Sequence, residues 1–154
     1  MLKEGDAVPA TTLFHDADGR AISLGDYYGR PLVLYFYPKA DTPGCTNEAK
    51  DFTALTDEFA KAGAAVLGVS KDSPKKLARF RDKYGLGVTL GSDESGTLCE
   101  ACGTWVEKSM YGRNYMGIAR ATFLVDDAGK VVRVWPKVSV KGHAAEVLEA
   151  AKGL

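Results

Sequence analysis

The feature that most constrains the fold is an apolar run of seven residues, Pro31 to Tyr37, with a helix start close behind it. Such a run, rich in leucine and aromatic residues, is typical of a strand buried on both faces. Pro38 ends the strand, because proline cannot donate a hydrogen bond to a neighbouring strand. Thr42 and Pro43 then have the residue types of a helix N-cap and a first helical position. This passage from buried strand to helix predicts a layered α/β domain.

Strand and helix patterns alternate along the rest of the chain. A turn at residues 16–19 predicts an N-terminal hairpin. The predicted helices run from Pro43 to about Gly63, from Pro74 to about Tyr84, from Asp93 to Cys102 and from about Lys141 to Lys152, and the predicted strands are 64–70, 88–90, 121–125 and 131–135. There is no repeat, low-complexity tract or linker, so residues 1–154 are predicted to form a single domain.

Charge and hydropathy argue against several classes of protein. Lysine plus arginine (20) equals aspartate plus glutamate (20), so no overall field attracts nucleic acid or a membrane surface. No apolar stretch approaches the ~20 residues of a membrane span, and the first residues lack the apolar segment of a signal peptide. Three cysteines cannot all pair within one chain. They are therefore expected to be reduced thiols, which favours the cytoplasm.

Cys45 falls in the first turn of the helix that follows the apolar run, where free N–H groups and the helix dipole favour an anion. A thiol in this position should ionise more easily than a free one. Lowering a thiol pKa from about 8.5 to about 6 takes roughly 3.4 kcal/mol, whereas a helix terminus supplies only about 0.3–1 kcal/mol. Asp41 and Glu48 oppose ionisation. A cation is therefore required, and Arg120, just ahead of a predicted strand, is the best-placed candidate.

The same residues carry a family resemblance. Pro38, Thr42 and Cys45 match the Pro-x-x-x-Thr-x-x-Cys signature of the peroxiredoxins. The chain resembles in particular the bacterioferritin comigratory protein (PrxQ) subfamily, through segments 35–39, 42–46, 66–70, 105–112 and 117–120. This resemblance covers essentially the whole chain. It implies a thioredoxin-like fold, in which a central mixed β-sheet is flanked by helices and preceded by the N-terminal hairpin.

The resemblance implies a thiol-dependent peroxidase. Cys45 would attack the O–O bond of hydrogen peroxide or an organic hydroperoxide and become a sulfenic acid. Thr42 and backbone N–H groups would hold the peroxide, Arg120 would stabilise the thiolate and the leaving oxygen, and Pro38 would shield the thiolate. Whether the Thr42 hydroxyl also caps the helix stays open. The resemblance implies no metal or organic cofactor, a thioredoxin-like or small thiol as reductant, and a monomer.

The chain departs from the subfamily at the cysteine that would resolve the sulfenic acid. Lys50 occupies the position five residues after Cys45 where many members carry that cysteine. The favoured hypothesis is a one-cysteine mechanism with an external thiol as reductant. A second is that Cys99 or Cys102 forms a disulfide with Cys45 after local unfolding. A zinc half-site at this Cys-x-x-Cys pair is disfavoured, because neither histidine has ligand spacing, and simple burial of both thiols is the remaining alternative.

Two rival functions stand beside the peroxidase. A dithiol–disulfide oxidoreductase of the thioredoxin type would need a second cysteine where Glu48 stands, which argues against it. A peroxide-sensing redox switch would use the same oxidation of Cys45 without turnover. Repeated consumption of peroxide with a thiol reductant distinguishes the enzyme from the switch.

The remaining aromatic residues and histidines receive structural interpretations. Trp105, Tyr111 and Tyr115 are expected in the core or in a pocket wall. His15 is expected to be solvated beside a turn, and His143 to lie at the start of the last helix. No catalytic Cys–His pair is therefore expected.

Overall fold

Nine strands and five α-helices make up the fold, and the computed structural model describes all 154 residues. The strands are β1 (Phe14–Asp16), β2 (Ala21–Ile22), β3 (Leu32–Phe36), β4 (Ala65–Ser70), β5 (Thr89–Ser92), β6 (Trp105–Met110), β7 (Arg113–Ile118), β8 (Ala121–Val125) and β9 (Val131–Trp135). The helices are α1 (Pro43–Ala54), α2 (Thr56–Lys61), α3 (Pro74–Tyr84), α4 (Thr97–Cys102) and α5 (His143–Lys152). None of them has the length and apolar character needed to span a bilayer.

Seven of the strands form one sheet, in the order β2-β1-β5-β4-β3-β8-β9. Strands β3, β4 and β5 are parallel to one another. Strand β8 is antiparallel to β3 and β9 to β8, while β1 is antiparallel to both β5 and β2. The predicted central mixed sheet with flanking helices is confirmed, and the N-terminal hairpin lies at one edge of it.

Strand β3 lies inside the sheet, and all five of its residues are buried, as the apolar run predicts. Its side chains alternate between two cores, because successive residues of a strand point to opposite faces. Val33 and Tyr35 belong to a first core with α1, α2, α3 and α5. Leu34 and Phe36 belong to a second core with α4 and the N-terminal segment. Burial of one such side chain is worth about 1.5–3 kcal/mol, so both cores hold β3 in place.

The single helix predicted from Pro43 to about Gly63 is in fact two helices, α1 and α2. They meet at Leu55, whose backbone leaves the helical region with φ −107° and ψ 7°. The Thr56 hydroxyl donates a hydrogen bond to the Thr53 carbonyl oxygen at 2.8 Å beside the break. A periodicity of apolar residues that continues through Leu55 does not reveal this local break.

Two helices begin later than predicted. Asp93, the expected start of α4, accepts the N–H groups of Leu98 and Cys99 at 3.1 and 2.8 Å and so caps the helix from outside it. Gly96 immediately precedes α4 with φ 78°, and Gly142 precedes α5 with φ 77°. These left-handed conformations, which glycine adopts readily, end the preceding loops and set the first helical residues.

The other predicted elements are confirmed with small shifts. Ser73 caps α3 by accepting the Lys76 N–H at 3.2 Å, and Gly85 ends it with φ 61°. Strand β4 follows Ala64, and β5 extends the short predicted strand to Ser92. Strands β8 and β9 form the predicted hairpin.

A second hairpin, β6–β7, was not predicted from the sequence. Its two strands pair antiparallel as a separate sheet, with Trp105 opposite Ile118 and Met110 opposite Arg113. Most of its residues are exposed, so the apolar alternation that marks a half-buried strand is missing. The interpretation of Tyr111 and Tyr115 as core or pocket-wall residues is wrong, because they are 98% and 43% exposed at this hairpin.

Candidate active site

The loop between β3 and α1 is fixed by hydrogen bonds to the end of β4. The Ala40 N–H donates to Asp72 Oδ2 at 2.7 Å, and the same oxygen accepts the Ser70 hydroxyl at 2.8 Å. Lys76 Nζ lies 3.1 Å from the other carboxylate oxygen. Because β3 and β4 are neighbours in the sheet, these bonds hold the start of α1 over their carboxyl ends.

Asp41 sits in this loop in a left-handed conformation, with φ 62°. Its carboxylate accepts hydrogen bonds from the Tyr84 hydroxyl and from Lys83 Nζ, the latter at 2.9 Å. The bond from Tyr84, followed by that from Lys83, lowers the pKa of Asp41. Both partners come from α3, so the charge expected to oppose a thiolate at Cys45 is instead paired at the surface.

Thr42 is the N-cap residue of α1 by position, with Pro43 as the first helical residue, as predicted. Its side chain does not cap the helix. The hydroxyl donates instead to the Lys39 carbonyl oxygen at 2.8 Å, which leaves the oxygen free to accept a hydrogen bond. The first helical hydrogen bond runs from the Thr46 N–H to the Thr42 carbonyl at 2.9 Å, so the N–H groups of Gly44 and Cys45 have no backbone acceptor.

Cys45 is the third residue of α1 and is 2% exposed, within the first core. Arg120 Nη2 donates to its Sγ at 3.3 Å. Gly44 leaves room for this approach, since a Cβ at that position would lie only 3.1 Å from Arg120 Nη2 and would displace the guanidinium. The structure thus brings together the cysteine and the cation that the sequence suggested.

The register of the sheet explains why Arg120 reaches Cys45. Strand β8 pairs with β3 so that Ala121 lies opposite Phe36, at the end of β3 where the loop to α1 begins. Arg120 is the residue just before Ala121, and its carbonyl oxygen accepts the Val138 N–H at 3.0 Å. Its side chain therefore starts beside the N-terminus of α1.

Glu48, three residues after Cys45 on α1, is the second partner of Arg120. Arg120 Nη1 donates to Glu48 Oε1 at 2.8 Å, while Glu48 Oε2 is buried without a hydrogen-bond partner. Burial raises the pKa of the Glu48 carboxyl to about 7, although Arg120 acts in the opposite direction. The sequence indicated Glu48 as an opposing charge but not as a partner of Arg120. Its spacing from Cys45, which places both on one helix face, was the available signal.

Two tyrosines of the β3 segment lie buried beneath the cysteine. The Tyr35 ring stacks on Phe52 of α1 at a centroid distance of 4.7 Å and lies against Gly68, where a Cβ would clash with the ring. Burial is the main cause that raises the pKa values of Tyr35 and Tyr37. Both hydroxyls are therefore neutral at physiological pH, and the site has an aromatic, poorly hydrated floor.

Pro38 and Lys50 lie at the edges of the site. Pro38 is exposed two residues after the end of β3, in the loop that carries Thr42. Lys50 is exposed on α1, with its Nζ 5.1 Å from the centroid of the Tyr84 ring. Apart from Cys45, α1 carries no cysteine.

The other two cysteines belong to the second core. Cys99 and Cys102 of α4 are buried there, whereas Cys45 is buried in the first core, so the sheet lies between them. All three are free thiols. Burial raises the pKa of Cys102 to about 12, and burial together with the nearby Asp93 raises that of Cys99. The structure does not bring these thiols to Cys45.

The two histidines differ in burial. His15 is exposed beside its turn. His143, the first residue of α5, is buried, and its Nε2 lies 2.8 Å from the Thr122 hydroxyl. Burial lowers the pKa of His143. No group of three or more His, Cys, Asp or Glu side chains is arranged to hold a metal ion.

Comparison with known proteins gives consistent matches. Residues 5–134 match the AhpC/TSA family. The putative peroxiredoxin bcp of Coxiella burnetii is 48% identical over 147 residues, which cover 96% of this chain and 97% of that protein. Peroxiredoxin Q of Xanthomonas campestris superposes with a TM-score of 0.92 at 45% identity, covering 99% of this chain and 96% of that one. A second structure, described as the bacterioferritin comigratory protein of the same organism with alkyl peroxide reduction activity, gives 0.89 at 44% identity over 96% and 98%.

Proposed function

The chain belongs to the AhpC/TSA family, among the Bcp/PrxQ peroxiredoxins, and is a thiol peroxidase; on that premise we propose that Cys45 is the cysteine that reacts with the peroxide. Its thiolate attacks the terminal oxygen of R–O–OH. An S–O bond forms as the O–O bond breaks, so sulfur is oxidised to the sulfenic acid and the peroxide is reduced. The leaving oxygen takes up a proton and departs as an alcohol, or as water when R is hydrogen.

The observation that carries the proposal is the bond of 3.3 Å from Arg120 Nη2 to Cys45 Sγ at the start of α1. A hydrogen bond between a guanidinium and a thiolate is charge-assisted and stronger than a neutral one. We expect the same guanidinium to stabilise the negative charge that grows on the leaving oxygen. In a poorly hydrated site such a preorganised cation lowers the barrier rather than merely binding the substrate.

Peroxide binding is proposed for the groups at the start of α1. The free N–H groups of Gly44 and Cys45 supply donors for the peroxide oxygens. The Thr42 hydroxyl already donates to Lys39, so its oxygen is available to accept the O–H of the peroxide. Pro38, at the mouth of the same loop, would limit the access of water and bulky reagents. The relative from Xanthomonas described with alkyl peroxide reduction activity supports organic hydroperoxides alongside hydrogen peroxide as substrates.

Regeneration of Cys45 is proposed to depend on an external thiol, such as thioredoxin or a small thiol. A disulfide requires Cα atoms within about 7 Å, and the sheet lies between Cys45 and the buried pair in α4. Lys50 supplies no thiol on α1. A disulfide from Cys45 to Cys99 or Cys102 would therefore require unfolding of part of the second core.

We further propose that residues 1–154 act as one domain and as a monomer in a reducing compartment such as the cytoplasm. Both cores share β3, which favours folding as a unit. The three free thiols fit a reducing environment, where such cysteines stay unpaired.

Mass spectrometry after one equivalent of peroxide tests the mechanism. We expect one added oxygen atom on Cys45 in the wild-type protein and in the matched Cys99→Ser and Cys102→Ser variants, and none in Cys45→Ser. Steady turnover with a thiol reductant should be lost only in Cys45→Ser. A disulfide from Cys45 to Cys99 or Cys102 would contradict the one-cysteine mechanism and identify the resolving cysteine. Unchanged peroxide consumption by Cys45→Ser would overturn the assignment of Cys45. A single oxidation without turnover would identify a redox switch instead.

A further inference from the structure

Lys108 of β6 lies on the same face of the β6–β7 hairpin as Tyr115 and Gly117 of β7. It stands opposite Tyr115 in the register, and its side chain crosses Gly117 of β7, where a Cβ would lie 3.2 Å from Lys108 Cδ. Gly117 precedes Arg120 by only three residues. The Lys108 side chain therefore packs on the end of β7 that leads to Arg120, and the charges of Arg120 and Cys45 both act on the pKa of Lys108.

Lys108 has no acidic partner. It forms none of the salt bridges of the protein, although its side chain is half-buried. Burial, followed by repulsion from Arg120, lowers its pKa, while the charge on Cys45 acts in the opposite direction. A partly buried ammonium without a carboxylate is unusual, because its desolvation is normally offset by pairing. Cys45 is the anion available to it.

The charges at the site balance only when Lys108 is counted. When the Glu48 carboxyl is ionised, it takes one edge of the Arg120 guanidinium at 2.8 Å. Arg120 and Glu48 together then carry no net charge. A thiolate at Cys45 would leave this group of three at minus one, in surroundings that are poorly hydrated. The Lys108 ammonium brings the sum back to zero.

We propose that Lys108 is the second cation of the active site, which keeps Cys45 ionised while Arg120 is shared with Glu48. The inference deepens the proposed function, since it concerns the same cysteine. Lys108 acts through the electrostatic field and not through a contact with the peroxide, so it is a positioning residue of the site.

The other titratable groups around the cluster do not replace Lys108. Tyr35 and Tyr37 of the β3 segment stay neutral, because burial raises their pKa values. His143 of α5 is neutral at pH 7 and above, because burial lowers its pKa. Asp51, exposed on α1, adds a further negative charge near Glu48 and so increases the need for a cation.

The rate of alkylation of Cys45 by iodoacetamide, followed by peptide mass spectrometry against pH, tests the proposal without using peroxide. In Lys108→Met the pH midpoint of alkylation should rise by about one unit, and the rate below the midpoint should fall roughly ten-fold, as expected for loss of a charge at this range. Lys108→Arg should restore the wild-type midpoint. Arg113→Met is the matched control, because Arg113 lies on the same face of the same hairpin and is exposed.

A double variant separates the electrostatic role from a structural one. Glu48→Gln with Lys108→Met removes one charge of each sign and leaves Arg120 to balance Cys45 alone. We expect its midpoint to return to within a few tenths of a unit of the wild type. An unchanged midpoint in Lys108→Met, or an equal shift in Arg113→Met, would overturn the proposal. So would a double variant as impaired as Lys108→Met. Since alkylation does not involve turnover, these results are independent of whether Cys45→Ser abolishes peroxide reduction.

Discussion

Arg120 makes two short contacts at once, to Cys45 at 3.3 Å and to Glu48 at 2.8 Å. The sequence predicted the first partner from an electrostatic requirement, because a helix terminus alone stabilises a thiolate too little. It did not predict the second, or the approach of Lys108. Both depend on which residues of distant segments the sheet and the hairpin bring together. Local spacing can indicate that a cation is needed, but it cannot indicate how that cation is shared.

The buried Glu48 carboxyl makes stability depend on pH. Its pKa rises from an ordinary 4.5 to about 7 on folding, chiefly through burial. Between these values the folded protein keeps a proton on Glu48 that the unfolded chain loses. The contribution of Glu48 to the free energy of unfolding is therefore largest at the acid end of this range and falls as the pH rises towards 7. From pH 5 to pH 8 the free energy of unfolding of Glu48→Gln should therefore fall by about 2–3 kcal/mol less than that of the wild type.

Urea unfolding at several pH values measures this difference. Glu58→Gln is a suitable control, because Glu58 is exposed on α2. It should follow the wild-type curve. If the free energy of unfolding of Glu48→Gln varied with pH in parallel with that of the wild type, folding would not raise the pKa of Glu48.

At the scale of elements, the β3–loop–α1 unit was the most predictable part of the fold. Its strand, its terminating Pro38 and the start of its helix all follow from residue types in one short segment. The break at Leu55 and the hairpin β6–β7 were not predictable in the same way. Leu55 fits the apolar periodicity of a helix, although its backbone is not helical. The strands of the hairpin are too exposed to show the alternation of apolar and polar residues that marks a strand.

Gly44 allows the first turn of α1 to approach Arg120, so Gly44→Ala should separate helix stability from reactivity. Alanine favours a helix over glycine by up to about 1 kcal/mol, so the free energy of unfolding should not decrease. The new methyl group would displace Arg120 Nη2, only 3.1 Å away, from the Cys45 sulfur. We expect peroxide reduction to slow roughly ten-fold, equivalent to about 1.4 kcal/mol of transition-state stabilisation.

Stopped-flow kinetics of peroxide reduction, together with thermal unfolding, checks this expectation. Asn47→Ala provides a matched control on the exposed side of the same helix. Its peroxidase rate should equal that of the wild type. A Gly44→Ala protein with full activity would mean that Arg120 can move without loss of function.

At the scale of the whole molecule, the sheet divides the thiols into two populations. Cys45 lies at a helix start beside a cation, whereas Cys99 and Cys102 lie in the second core with raised pKa values. The sequence showed the three cysteines and their spacing. It could not show on which face of the sheet each is buried, since α4 could pack on either side of a strand that is apolar on both.

We expect this division to appear in thiol labelling. At pH 8 without denaturant, iodoacetamide should label Cys45 at least a hundred-fold faster than Cys99 or Cys102, because thiolate is the reactive form. Labelling of the two α4 cysteines should rise with urea in parallel with global unfolding. Peptide mass spectrometry follows each site separately. Labelling of Cys99 or Cys102 that does not depend on urea would reveal local opening of α4 and would favour a resolving role for that thiol.

The pairing of β8 with β3 has a consequence for the newly made chain. Arg120 follows Cys45 by 75 residues, so a nascent chain exposes the cysteine long before its cation has been synthesised. On the proposed mechanism, Cys45 lacks the cation that activates it until β8 has paired with β3. The proposed mechanism then implies that reactivity is acquired only when the protein has folded. The order of the elements along the chain would thereby protect the cysteine from premature oxidation during synthesis.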